Sequence, residues 1–118
     1  MPRDDLASPG ITDVTVASAA RNTNGNSGPI GGFGSAKTLR AQLNVSAASG
    51  TTPTLNVLIE DSVDGGATWN TVGTFAQKTA ISREVVNVVA PFTDLLRVSW
   101  TIGGTTPSFT FEVRIYSE

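Results

Sequence analysis

Hydrophobic and polar residues alternate with a period of two along most of this chain, most clearly in its last third. Two segments have an apolar residue at every second position: Leu96, Val98, Trp100 and Ile102, then Phe109, Phe111, Val113 and Ile115. Because successive side chains of a β-strand point to opposite faces, each segment is predicted to be a half-buried strand. Turn-forming residues at 103–107 predict that the two strands form an antiparallel hairpin.

The same alternation predicts further strands earlier in the chain. They are expected at residues 11–16, 39–45, 54–60, 68–75 and 81–89, with turns at 47–53 and 90–92. No segment has a helical stripe. The predicted fold is therefore all-β, a single antiparallel β-sandwich or jelly-roll-like domain of about seven to eight strands. The tripeptide 105–107 repeats the composition of 51–53, but two similar turns do not establish an internal repeat.

Two segments do not follow the alternation. Residues 1–10 are polar and interrupted by proline, which predicts a flexible N-terminal arm before a sandwich domain at 11–118. Residues 22–34 form a long loop rich in Gly and Asn. Its apolar residues either fold onto the core as a plug or face a neighbouring molecule. The residues predicted to form such an interface are Leu6, Pro9, Ile11, Pro29, Ile30 and Phe33.

Composition narrows the possible functions. The chain has 118 residues without histidine or cysteine, which excludes an imidazole base, a thiolate nucleophile and the usual zinc ligands. Eight Lys and Arg residues against ten Asp and Glu residues form no basic cluster, so nucleic acid is not an expected partner. We therefore predict a non-enzymatic protein with no catalytic residues, no cofactor, no metal and no small-molecule substrate.

The chain also has no sequence signal for a membrane. Its first residues contain no apolar segment typical of a secretory signal, and no apolar run approaches the ~18–20 residues that cross a bilayer. We expect a soluble protein that is not exported by the usual route and has no membrane partner.

One short motif is recognisable. Ser62, Asp64, Gly66, Thr68 and Trp69 match the Asp-box pattern, Ser-x-Asp-x-Gly-x-Thr-Trp, of sialidase propellers and many other β-proteins. The carboxylate is expected to accept hydrogen bonds from loop N–H groups while the tryptophan folds beneath the turn. The motif is thus predicted to be a structural turn.

Two binding alternatives involve the same region. Glu60, Asp61 and Asp64 place three carboxylates near one turn, which is a conceivable Ca²⁺ site although the spacing matches no defined calcium loop. Trp69 and Trp100, with the C-terminal Tyr116, are the aromatic residues available for stacking on sugar rings. Trp100 shares the apolar register of its strand, which favours a place in the core.

Two blocks of sequence resemble a known family. One block is the strand at 55–61 followed by the Asp-box turn, and the other runs from 90 to 113 and contains Leu-Arg-Val-Ser-Trp and Pro-Ser-Phe-Thr-Phe. Together they cover about residues 54–113 and resemble small virion proteins of tailed bacteriophages, especially head decoration proteins of phages that infect actinobacteria.

The resemblance implies a structural virion protein. Members of that family are β-sandwiches that bind the outside of the assembled capsid, contact the major capsid protein and stabilise the shell, often as homotrimers. The chain would then be made in the bacterial host cytoplasm and reside on the capsid surface. Two alternatives remain open: a tail- or fibre-associated virion module, and a carbohydrate-binding or adhesion β-sandwich.

Overall fold

The computed structural model describes residues 13–30, 38–89 and 95–117, and within these ranges every regular element is a β-strand. The strands are β1 (Asp13–Arg21), β2 (Gly25–Asn26), β3 (Thr38–Ser62), β4 (Asn70–Thr74), β5 (Ser82–Val89) and β6 (Leu95–Ser117). All the pairings between these strands are antiparallel. The prediction of an all-β fold is confirmed.

Two long strands organise the domain. β3 and β6 pair along their whole length, from Leu39 opposite Ser117 to Ser62 opposite Leu95. The pairing is continuous, so the six strands form one hydrogen-bonded sheet. Register shifts and positive φ angles near the middle of both long strands mark a bend that divides this sheet into two halves, which we call the first sheet and the second sheet. The first sheet contains β1, the C-terminal half of β6, the N-terminal half of β3, and β5. The second sheet contains β2, the N-terminal half of β6, the C-terminal half of β3, and β4.

The described strands form a sandwich of the predicted size. Six strands, two of which are shared between the sheets, provide eight strand segments, four in each sheet. The inward-facing residues of both sheets form one core, which includes Leu39, Leu43, Val57, Ile59, Val98, Phe109, Phe111 and Val113. These residues are the alternate apolar positions that the sequence pattern selected, so the β-sandwich prediction is confirmed.

The predicted hairpin between the last two strands is wrong. Segments 95–102 and 109–116 are successive halves of β6, and each pairs with a different half of β3. The predicted turn at 47–53 is also wrong, because β3 continues through it. At both places glycine and proline bend a strand from one sheet into the other rather than reversing the chain. The predicted turn at 90–92 lies outside the described residues.

The two bends have the same sequence and the same backbone conformation. Each is Gly-Thr-Thr-Pro, beginning at Gly50 in β3 and at Gly104 in β6. The φ angles of these glycines are +114° and +111°, and φ is +46° at both Thr52 and Thr106. The two tripeptides of similar composition are therefore structural equivalents, a relationship that the sequence pattern alone did not establish.

The segment predicted as a long loop is partly ordered by pairing. β2 interrupts it and pairs with Ser99 and Trp100 of β6. The amide of Ile30 donates to the carbonyl of Leu96 at 2.8 Å, and the amide of Leu96 donates back at 2.9 Å. The side chain of Ile30 packs against the core, as the plug interpretation proposed. Phe33 lies outside the described residues. No helix that could cross a membrane occurs in the described part of the chain.

Candidate functional site

The Asp-box turn is a closed network of short-range hydrogen bonds. The Ser62 hydroxyl donates to Asp64 Oδ1 at 2.8 Å and accepts from the Gly66 amide at 2.8 Å. The Thr68 amide donates to Asp64 Oδ1 at 2.9 Å, and its hydroxyl donates to Oδ2 at 2.6 Å. Trp69 Nε1 donates to the Gly66 carbonyl at 3.1 Å. These hydrogen bonds join all five motif residues within one turn.

The carboxylate of Asp64 is held ionised by this network. Hydrogen bonds from the side chain and the amide of Thr68, followed by that from Ser62, lower the pKa of Asp64 to about 2. Both of its oxygens accept hydrogen bonds from the turn. Among the described residues, no group of three or more acidic side chains is placed to hold a metal ion. The geometry of this turn thus favours a structural role, in which its hydrogen bonds hold the turn closed.

Trp69 is covered by an arginine. The guanidinium carbon of Arg97 lies 4.4 Å from the centroid of the Trp69 ring. Arg97 Nε donates to Glu60 Oε1 at 2.8 Å, across the pairing of β3 and β6. Cation–π contact and the ion pair together hold the arginine over the aromatic face. A sugar ring would have to displace Arg97 to stack on this side of Trp69.

Trp100 is covered in the same way by a second arginine. The guanidinium carbon of Arg21 lies 5.0 Å from the Trp100 ring and 4.6 Å from the Phe111 ring. Arg21 is fixed by hydrogen bonds to the carbonyls of Ala17 at 2.7 Å and Phe111 at 3.0 Å. The Trp100 and Phe111 rings meet edge to face at 5.5 Å. Trp100 therefore packs against the core, as its register predicted.

The backbone of β2 closes a further side of Trp100. A Cβ atom on Gly25 would lie 2.9 Å from Cζ2 of the indole. The ring is thus enclosed between this strand, Arg21 and Phe111. Partial burial lowers the pKa of Arg21 from its ordinary value, although an arginine stays protonated at neutral pH.

The first sheet carries a largely polar surface that faces away from the core. We call it the outer face; it consists of three rows across β5, β3 and β6: Asn87–Arg40–Tyr116, Val85–Gln42–Arg114 and Arg83–Asn44–Glu112. Residues opposite each other in a sheet share a face, and the inward positions between these rows are buried on β3 and β6 and half-buried on β5. Three arginines and one glutamate give the outer face a formal charge of +2 (3 − 1), in a chain whose net charge is −2.

One ion pair crosses the third and second rows of the outer face. Arg114 Nε donates to Glu112 Oε2 at 3.2 Å. The hydrogen bond and the charge of Glu112, together with the Tyr116 hydroxyl, raise the pKa of Arg114. Sequence alternation placed these side chains opposite the buried positions. It did not identify the outer face, because that requires the pairing of three strands that are far apart in the chain.

The predicted interface residues are spread between described and undescribed parts of the chain. Pro29 is exposed, whereas Ile30 is half-buried against the core. Leu6, Pro9, Ile11 and Phe33 lie outside the described residues, as do the arm at 1–10 and the end of the loop at 31–34. Contact of these residues with a partner stays a prediction.

No protein-family model matches the sequence, and no curated protein matches it. The fold is similar to that found in a crystal structure of the CBM22-1 and GH10 modules of endo-1,4-β-D-xylanase 10B from Clostridium thermocellum, in complex with xylohexaose. That similarity has a TM-score of 0.55 and 13% sequence identity, and covers 92% of this chain and 25% of the other. This chain thus spans about a quarter of the length of the xylanase chain.

Two further structures are more distant. Chitosan-binding module 1 of a chitosanase/glucanase from Paenibacillus sp. IK-5 is 17% identical, with 85% of this chain and 95% of that chain covered and a TM-score of 0.44. The CBM36-1 domain of a multidomain xylanase from the hindgut metagenome of Trinervitermes trinervoides is 11% identical, with 98% and 84% covered and a TM-score of 0.42. These two TM-scores are too low to support an argument, and the xylanase similarity shows the β-sandwich fold alone.

Proposed function

We propose that this chain is a non-catalytic binding module, and that it attaches to the outside of a phage capsid and stabilises the shell. The observation that carries the proposal is the position of Arg21 and Arg97 over the two tryptophan rings. Aromatic side chains that are covered within the module serve its rigidity, so binding must use polar faces and loops. Such surfaces suit contact with another protein.

The sequence resemblance at residues 54–113 supports the capsid as the binding surface. Its two blocks include β3 from Leu55, the Asp-box turn and most of β6, and the two strand segments pair at the centre of the second sheet. A rigid sandwich with few charged residues is suited to reinforcing joints in a shell. The same resemblance implies a homotrimer, which belongs to the proposal.

A carbohydrate-binding module is the second candidate, and the structural comparison favours it over the capsid. The fold similarity is to a chain that contains a module labelled CBM22-1 and was crystallised with xylohexaose. Tyr116 on the outer face, with the neighbouring amides of Gln42 and Asn44, would be the side chains available for a sugar there. With both tryptophan rings covered as they are, this candidate requires the sugar to bind without stacking on either of them.

Quantitative mass spectrometry of purified phage particles tests the first candidate. We expect a copy number in the hundreds, approaching one per major capsid protein. A few to some tens of copies would instead favour a tail- or fibre-associated module, and absence from particles would overturn the virion proposal.

Titration with xylohexaose tests the second candidate. Chemical-shift changes in ¹H–¹⁵N spectra at Tyr116, Gln42 and Asn44, saturating at millimolar sugar, would support carbohydrate binding. Unchanged spectra together with a high copy number on particles would rule out carbohydrate binding at these residues and support the capsid proposal.

Deleting residues 1–10 tests the predicted arm contact: we expect weaker particle binding with an unchanged thermal transition.

A further inference from the structure

We infer that the outer face of the first sheet, together with the exposed valines of its edge strand β5, is a docking surface for an acidic protein surface with an apolar margin. The inference rests on the proposed function, since the capsid would supply this partner. It adds the face that binds and the chemistry that the face recognises. The sequence-based interface, on the arm and the loop, did not include any of these residues.

Charge is the first argument. Arg40 and Arg83 are exposed, and the Arg114 side chain is 41% exposed beside Glu112. The three arginines stand on three adjacent strands, and Arg40 and Arg114 are diagonal neighbours, about 7–8 Å apart in such a sheet. A guanidinium pairs with carboxylates through two parallel hydrogen bonds, so this array suits Asp and Glu side chains on a partner.

Exposed apolar side chains lie beside the arginines. Among the described residues, four large hydrophobic side chains are exposed, and three of them, Ile81, Val85 and Val89, are on β5 or directly before it. Val85 and Val89 share the face of Arg83, because all three alternate with inward-facing residues. An edge row of valines adjoining arginines has the composition of a protein interface rather than that of a nucleic-acid or polysaccharide site.

The outer surface of the second sheet does not offer the same chemistry. Its arginine, Arg97, already contacts Glu60 and Trp69. The exposed positions nearby are Thr101 and Gln77, which flank Asn56. That surface therefore supplies a place for matched control substitutions.

A pair of double variants with the same net charge tests the charge argument. R40Q/R83Q and T101E/Q77E each change the net charge from −2 to −4, the first by removing two positive charges and the second by adding two negative ones. All four positions are exposed, so both proteins are expected to keep the wild-type thermal transition. Only the first variant alters the outer face.

The first probe is a poly-L-glutamate column, which is independent of the capsid. We expect the wild type and T101E/Q77E to be retained at low salt, and R40Q/R83Q to elute earlier. Equal elution of the two variants would overturn the inference. Retention that depends on Arg40 and Arg83 on heparin but not on poly-L-glutamate would assign the face to an anionic polysaccharide and would likewise overturn it.

The second probe is the particle itself: phage particles grown with the gene deleted, to which the purified protein is added back. We expect R40Q/R83Q to bind at least tenfold more weakly than T101E/Q77E, with a shallower dependence on salt. If the wild type binds and both variants bind equally, the docking face is wrong although the capsid function stands. If the wild type fails to bind, the proposed function fails, and the column result still decides the chemistry of the face.

The apolar half of the inference has its own matched pair. V85T/V89T replaces two exposed methyl groups with hydroxyls on the outward side of β5, and V63T replaces one in the Asp-box turn, where Val63 is 72% exposed. All three changes keep a β-branched side chain in place. We expect weaker binding to particles for V85T/V89T and wild-type binding for V63T. Equal binding by both variants would overturn the apolar part.

Discussion

Gly50 lies directly against the backbone of Thr106, where the bends of the two paired long strands meet. A Cβ atom on Gly50 would be 2.8 Å from the Thr106 carbonyl oxygen, and one on Gly104 would be 2.7 Å from that of Thr52. Because neither glycine has a side chain, the backbones of the two bends can lie in direct contact. The two sheets are held in register by this reciprocal contact, which lies at the one place where both β3 and β6 leave one sheet for the other.

The first prediction concerns the close approach of Gly50 to the backbone of β6. We expect Gly50→Ala to lower the free energy of unfolding by about 3 kcal/mol, because it adds both a positive-φ penalty and a collision with backbone atoms. Gly65→Ala is the matched control. Gly65 also has a positive φ, +78°, but a Cβ there would meet nothing within 4 Å, so a cost of about 1 kcal/mol is expected. Urea unfolding measures both, and equal costs would contradict the packing argument.

The second prediction concerns backbone strain at the same bends. Thr52 is exposed and has φ +46°, a left-handed conformation that a β-branched residue adopts at a cost. Asparagine tolerates this conformation better, so we expect Thr52→Asn to stabilise the protein by about 0.5–1 kcal/mol. The equivalent change Thr106→Asn should have the same effect within experimental error. Destabilisation by both changes, measured by urea unfolding, would show that the threonines are required at the two bends.

The two bends explain why the sequence predicted the strands but not how they are connected. Glycine and proline mark both a chain reversal and a bend between sheets, and the alternation of apolar residues continues on either side in both cases. Segments 50–59 and 104–113 also match in pattern, with Leu55, Val57 and Ile59 corresponding to Phe109, Phe111 and Val113, all buried. Only the pairing of β3 with β6 distinguishes two bent strands from two hairpins.

The candidate sites divide in the same physical way. The Asp-box turn was predictable because its hydrogen bonds join residues no more than four positions apart. The arginine covers were not, because Arg21 reaches Trp100 only after β1 and β2 both pair with β6. The outer face needed the register of three strands. Local chemistry can be inferred from a sequence, whereas contacts between distant segments depend on topology.

The third prediction concerns the pH dependence of stability. The pKa of Asp64 is lowered to about 2 in the folded protein, below the ~3.9 of an unperturbed aspartate. Its contribution to stability is therefore complete above the unfolded pKa and is lost as the pH falls from about 4 through about 2. We expect Asp64→Asn to lower the thermal transition at pH 7 and to make it less dependent on pH between 4 and 2.

A conservative control separates charge from hydrogen bonding at the turn. Thr68→Val removes the hydroxyl that donates to Asp64 Oδ2 but keeps the amide and the carboxylate. Because this hydroxyl is the largest cause of the lowered pKa, the Asp64 carboxyl should titrate at a higher pH in Thr68→Val. NMR titration of the Asp64 side-chain carbon measures this value. An unchanged pKa would contradict the role assigned to Thr68.

The fourth prediction concerns the arginine over Trp100. Arg21→Lys keeps the positive charge but loses the planar group that lies over two rings and donates to three carbonyls. We expect it to lower the free energy of unfolding by about 1–2 kcal/mol and to increase acrylamide quenching of tryptophan fluorescence. Arg40→Lys, at an exposed position, is the control and should change neither the free energy of unfolding nor the quenching.

Because Trp69 also fluoresces, the measurement is repeated in Trp69→Phe, where the quenching difference must persist if it arises at Trp100. Equal quenching of Arg21→Lys and the control in that background would show that Arg21 does not shield the indole, and would reopen Trp100 as a surface for a sugar ring.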